Sequence, residues 1–202
     1  MKNPQEYFGN IDIYLFDQIL KGRFTKDMKI LDAGCGGGRN LIYFLRNGFV
    51  VFGIDQNRDA VESIRKTANK LSPHIPAENF QVSSVEKLTF EDEKFDVVIS
   101  SAVLHFAKSR EHFDEMLDEM WRVLKPGGML FARLASSIGI ESLIKPTENG
   151  RYLLPDGSER FLVDEAMLLS IAAEKGADLI EPVKTTNVQN LRCMTTLVLR
   201  KH

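Results

Sequence analysis

The 202-residue chain has two cysteines, one tryptophan and no surplus of charge of either sign. Cys35 and Cys193 carry no metal-ligand spacing, so no metal is expected and both are read as reduced thiols. Basic and acidic residues number 26 and 28, a net charge of −2, which leaves no electrostatic footprint for gripping a phosphate backbone. No nucleic-acid partner is therefore expected. Apolar stretches are too short to cross a bilayer, so no membrane partner is expected either. Met1-Lys2-Asn3-Pro4 does not open a signal peptide, which makes the cytoplasm the expected location. Repeats, heptads and low-complexity tracts are also missing. What remains is an ordinary mixture, 44% apolar and 27% charged, long enough for one α/β domain over residues 1–202.

Within it, Ile30-Leu31-Asp32-Ala33-Gly34-Cys35-Gly36-Gly37-Gly38-Arg39 stands out. An apolar strand ends in a carboxylate, breaks into glycines and feeds a helical pattern. That layout brings bare backbone and a helix N-terminus against a polar ligand at the carboxyl edge of a parallel sheet. Further strands are expected at 49–55, 80–83, 95–100 and 129–134, with helices at 10–22, 38–47, 57–71 and 109–124 between them. This alternation implies a parallel sheet with right-handed crossovers. After residue 135 the rhythm changes. Two short apolar runs around Pro155-Asp156-Gly157 predict a hairpin, Asp164 caps a helix over 164–175, and strands near 178–187 and 191–200 predict an antiparallel pair. Residues 1–27 thus form a helical arm, 28–135 a cofactor-binding half, 136–163 a lid or substrate wall, and 164–202 a closing helix and strands.

The chain resembles class I S-adenosylmethionine-dependent methyltransferases through four segments in the family's order. They are Ile30 to Gly38, Gly53-Ile54-Asp55, Lys94-Phe95-Asp96-Val97-Val98-Ile99, and Trp121-Arg122-Val123-Leu124-Lys125-Pro126-Gly127-Gly128. Gly38-Arg39-Asn40 and Ser100 to Phe106 also resemble the tellurite-resistance branch and other small-molecule methyltransferases. The resemblance implies a Rossmann-like, doubly wound, mostly parallel seven-stranded sheet with an antiparallel C-terminal pair and helices on both faces. It implies S-adenosyl-L-methionine as cofactor and in-line methyl transfer to a small-molecule acceptor by a monomer or homodimer. Asp32 would accept from the cofactor's ammonium, Gly34, Cys35 and Gly36 would offer backbone, and Asp55 would hold the ribose hydroxyls with Gln56 beside the adenine. Relatives usually carry Asp after the third strand; here Ser84, Val85 and Glu86 stand there, and Ser84 with the Val85 N–H is expected to serve the adenine. Ser100 closes the set.

Other readings stay open. A glycine-rich strand–helix turn also suits NAD, although Arg39 occupies the position where the dinucleotide fingerprint needs its third glycine. A cofactor-binding module without turnover, or an NAD-linked oxidoreductase, are the competing functions. His105, after the fourth strand, is either a general base or a wall and hydrogen-bond donor. Arg39 either pairs with the cofactor's carboxylate or is solvated. Tyr7, Phe8 and Tyr14 either cover the cofactor or staple the arm.

Overall fold

A computed structural model describes residues 3–202; Met1 and Lys2, the first positions of the expected arm, lie outside the described residues. Two short helices come first, α1 (Pro4–Phe8) and α2 (Ile13–Leu20). The alternating half follows as β1 (Lys29–Ala33), α3 (Ile42–Arg46), β2 (Val50–Asp55), α4 (Arg58–Leu71), β3 (Phe80–Val82), β4 (Phe95–Ser101), α5 (Arg110–Val123) and β5 (Leu124–Ser136). Beyond it lie β6 (Lys145–Pro146), β7 (Arg151–Leu153), β8 (Glu159–Phe161), α6 (Glu165–Glu174), β9 (Ala177–Leu179), β10 (Lys184–Val188) and β11 (Arg192–Lys201).

The main sheet runs β10-β11-β5-β4-β1-β2-β3, parallel from β5 to β3 and antiparallel where β11 meets β5 and β10. Strand order reverses beside β1, so the tips of β1 and β4 open a crevice at the carboxyl edge. Successive side chains of a strand face opposite ways, and both faces here are apolar. Leu31, Ala33 and Val98 join a core with α5 and α6, while Ile30, Val97 and Ile99 join another with α3 and α4. On α4, Val61, Ile64 and Ala68 share the buried face. Val61 and Ile64 are fully buried, each contributing about 1.5–3 kcal/mol. Asn57 caps α4 by accepting from the Asp59 and Ala60 N–H groups, and Asp164 caps α6 by accepting from Met167.

Three departures from expectation have a visible physical cause or extent. The helix predicted over 38–47 is confined to Ile42–Arg46, because Gly38 sits at φ +82° and residues 38–41 form a turn instead. The strand predicted over 178–187 is split around Pro182, which lacks the N–H a ladder needs. Its first part, β9, pairs with β11 as an additional strand, giving eight where seven were expected. The strand predicted over 129–134 extends across Leu124–Ser136, with a register shift against β4 between Phe95 and Val97. The Pro-Asp-Gly hairpin is present as β7 and β8, and β6 completes a separate three-stranded sheet.

Candidate active site

The glycine turn is built by two backbone requirements. Gly34 has φ +85°, donates its N–H to the Ile54 carbonyl at 2.9 Å, and has no room for a side chain: a Cβ would lie 2.4 Å from Val103 Cγ2. Gly36 has φ +51°, and a Cβ there would meet nothing within 4 Å, so this part of the turn faces open space. Its N–H donates to Asp55 Oδ2 at 2.8 Å, while the Asn57 N–H donates to Asp55 Oδ1 at 2.9 Å. Asp55 is thus fixed between the turn and the start of α4. Each carboxylate oxygen keeps a further acceptor position.

Asp55 borders a cleft of about 330 Å³ whose walls also include Gly34, Gln56, Ser84, Val85 and Glu86 on one side. Ala102, Val103, Phe106 and Met116 close the other. Five expected cofactor-binding positions therefore come together: Gly34, Asp55, Gln56, Ser84 and Val85. Asp32, Cys35, Gly36 and Ser100 are not in the wall, each for a physical reason. Gly36 acts through its amide on Asp55. The Cys35 side chain packs against Gly53, where a Cβ would lie 2.9 Å from Sγ, and burial pushes its thiol far up, so it is an inert filler. Ser100 is buried, with no partner for its hydroxyl among the described residues.

Asp32 is 1% exposed, and among the described residues neither carboxyl oxygen has a hydrogen-bond partner. Burial drives its pKa from the usual 3.8 up to about 7, with Arg39 pulling the other way and Asp55 adding to the rise. A buried acid left without partners at the end of β1 is complementary to a cationic donor arriving at the turn.

His105 lies elsewhere. It lines a neighbouring cavity of about 480 Å³, together with Arg133, Arg160 and Arg192, and Ala102 is common to both spaces. Ala102 adopts φ +65° immediately after β4, a costly conformation for a residue with a Cβ, and its N–H donates to the Arg133 carbonyl at 2.7 Å. The His105 ring is 6% exposed, and its Nδ1 accepts from the Ala135 N–H at 3.2 Å. The proton is thereby held on Nε2. Burial first, then Arg160 and Arg192, lower its pKa to about 4. That is a neutral donor and a poor base.

The arm reaches this edge through Asp12. Its Oδ1 caps α2 by accepting from Tyr14, while Oδ2 takes Arg133 Nη1 at 3.1 Å and the Ser101 hydroxyl at 3.4 Å. Arg39 donates to the same hydroxyl at 3.1 Å. Tyr14 sits under the Arg133 guanidinium at 5.2 Å, and the Tyr7 hydroxyl donates to Asn47. Both tyrosines therefore staple the arm. Asp12 and the three arginines were not singled out from sequence, although Arg133 is the one charge within the apolar strand Met129 to Leu134, which is a readable signal.

The chain is similar to known methyltransferases in sequence and in fold. YodH, an uncharacterized methyltransferase of Bacillus subtilis (strain 168), is 36% identical over 121 residues, covering 60% of this chain and 46% of its own length. A ubiquinone biosynthesis O-methyltransferase of Chelativorans sp. (strain BNC1) is 28% identical over 155 residues, covering 70% of this chain and 59% of its own. The chain spans about half the length of the curated relatives it matches. A crystal structure of an SAM-dependent methyltransferase from Methanosarcina mazei superposes with a TM-score of 0.73 at 22% identity, covering 91% of this chain and 96% of that one. Magnesium protoporphyrin IX methyltransferase from Synechocystis PCC 6803, solved with bound SAH, gives 0.69 at 17% identity and coverages of 98% and 84%. These structures establish the Rossmann-like methyltransferase fold. The model of the methyltransferase domain matches residues 31–132, half of the chain and the stretch that carries the glycine turn and Asp55; the chain belongs to that family.

Proposed function

We propose that the chain transfers a methyl group from S-adenosylmethionine to a small-molecule acceptor. The observation that carries the reading is the pair of spaces meeting at Ala102: a cleft bounded by the glycine turn and Asp55, and a second cavity beyond it. The residues fit the cofactor on three counts. The Asp32 carboxyl is buried and unpaired, which suits an ammonium group. The space over Gly36 is open. Asp55, held by two backbone N–H groups, has one acceptor position left on each oxygen, the number a vicinal ribose diol needs. Ser84 and Val85 would hold the adenine end, and Gln56 would flank it.

When bound, the cofactor supplies an electrophilic sulfonium methyl: the acceptor's nucleophilic atom bonds to it as the carbon–sulfur bond breaks and its electron pair stays on sulfur. The protein's part is alignment and exclusion of water. His105 contributes a hydrogen-bond donor to the acceptor side and does not act as a general base. Leu154, Ser158 and Arg160, from the segment expected as a lid or substrate wall, form one side of the acceptor cavity.

Calorimetry with S-adenosylmethionine and with NAD tests the ligand, and transfer of radiolabelled methyl to a metabolite pool tests turnover. Binding of S-adenosylmethionine and labelled product are expected. Binding of NAD alone overturns the cofactor assignment, and cofactor binding without product on any acceptor favours a binding module.

A further inference from the structure

We propose that the second cavity recognises an acceptor carrying an oxyanionic group, a carboxylate or a phosphate, through Arg160, Arg192 and the His105 Nε2–H. This rests on the methyltransferase reading for the word acceptor; the anion site itself stands on its own geometry. Three guanidinium-bearing residues line the space, from β5, β8 and the start of β11, against a single acidic side chain, Asp156. Their existing partners do not use up the charge. Arg133 is committed to Asp12, the contact that pins the arm. Arg192 reaches Asp156 only at 3.5 Å and remains half exposed.

Arg160 is the free cation. Among the described residues it pairs with no carboxylate: Nη1 donates to the Glu159 carbonyl at 2.7 Å, and the guanidinium lies 4.8 Å over the Phe106 ring. Phe106 belongs to the cofactor cleft, so this stack forms part of the wall between the two spaces and fixes the orientation of the guanidinium. His105 adds direction. With Nδ1 accepting from the Ala135 N–H, its other nitrogen is a donor, and a neutral donor beside two guanidiniums suits an oxyanion and repels a cation. Guanidinium forks match the planar oxygens of a carboxylate and those of a phosphate alike. A cavity of about 480 Å³ sets the size class at a small metabolite.

The test uses the full chain saturated with S-adenosylhomocysteine and three probes of similar size, 4-hydroxybenzoate, phenyl phosphate and the neutral 4-hydroxybenzamide. Calorimetry is expected to detect at least one of the two anions and not the amide, and the anion that binds more tightly identifies the group. Arg160→Gln and Arg192→Gln, both at partly exposed positions, are expected to weaken that anion by roughly tenfold or more each, and Arg192→Gln, which lies away from the cofactor cleft, is expected to leave the affinity for S-adenosylhomocysteine and the melting temperature unchanged. Binding of neither anion, equal binding of the amide, or undiminished anion binding in both variants overturns the proposal. Loss of S-adenosylhomocysteine binding in the wild type, with anion binding retained, overturns the cofactor reading and leaves the anion site standing.

Discussion

Replacing Asp32 by Asn separates what this acid costs the fold from what it does for the ligand. The side chain is fully buried without a partner, and its pKa rises from 3.8 to about 7. For an acid whose pKa is raised in the folded state, the penalty is absent below the unfolded value and grows as pH climbs toward the folded one. Stability is thus lost between about pH 4 and pH 7. The climb corresponds to on the order of 4 kcal/mol. Asn has the same shape and no charge to desolvate, so the stability difference between variant and wild type is expected to widen by on the order of 3 kcal/mol from about pH 4.5 to about pH 7.5. In a domain of this size that is roughly 10 °C in melting temperature. Differential scanning calorimetry of both proteins across that range reads it directly. The same substitution is expected to weaken S-adenosylmethionine by at least about tenfold, because the amide no longer offers an anion to a cationic donor. Parallel melting-temperature curves for the two proteins refute the buried ionisation, and unchanged cofactor affinity refutes the ammonium assignment.

Asp55→Ala removes the acceptor positions proposed for the ribose diol and is expected to weaken S-adenosylmethionine by about 2–4 kcal/mol in calorimetry; wild-type affinity dismisses the assignment. Gly34→Ala combines a left-handed backbone with a Cβ 2.4 Å from Val103 Cγ2, and should destabilise by about 2–4 kcal/mol. Val103→Ala in the same protein should recover part of that loss on chemical denaturation, and a double variant no better than the single would show the clash to be irrelevant. His105 is neutral down to about pH 4 in the fold, against an ordinary value of 6.5. Since its depressed pKa favours the neutral form, the contribution of His105 to stability should fall as pH drops from about 6.5 to about 4, opposite in sign to that of Asp32, so the stability of wild type relative to His105→Asn should decline over that window; a pH-independent difference between the two proteins would contradict it. Asp12→Ala leaves Arg133 unpaired at a mostly buried site and should cost about 3–5 kcal/mol in thermal denaturation, whereas a loss under about 1 kcal/mol would mean that Arg133 finds solvent.

The alternating half was legible because period and punctuation agree there. The run Phe49 to Asp55 is apolar throughout and becomes a strand buried on both faces, and Pro73 marks where α4 has ended. Asp55 and the glycines were legible for the same reason: backbone geometry and a carboxylate at a strand tip leave a mark within a few residues. Two of the four site positions that do not line the cleft, Asp32 and Ser100, share one cause. A strand-end residue can face the ligand, the core or the backbone, and sequence spacing does not distinguish these. Asp32 and Ser100 turned inward. The arginine cavity was illegible because its members stand at 133, 160 and 192, joined by the antiparallel return of β11 and by a three-stranded insertion whose packing no local pattern announces. Asp12 was overlooked as a cap because the helix was read as starting at residue 10 and begins at Ile13.

The two spaces divide the polypeptide almost cleanly at one point. The cofactor cleft draws its walls from residues 34–116, whereas the arginine cavity takes everything except Ala102 and His105 from position 133 onward, one residue past the end of the family match. On the proposed reading, donor handling and acceptor choice would be encoded in consecutive stretches of chain. A graft replacing 133–202 would exchange one specificity for another while the nucleoside grip stays intact, provided Ala102, the hinge stone shared by both halves, is left alone.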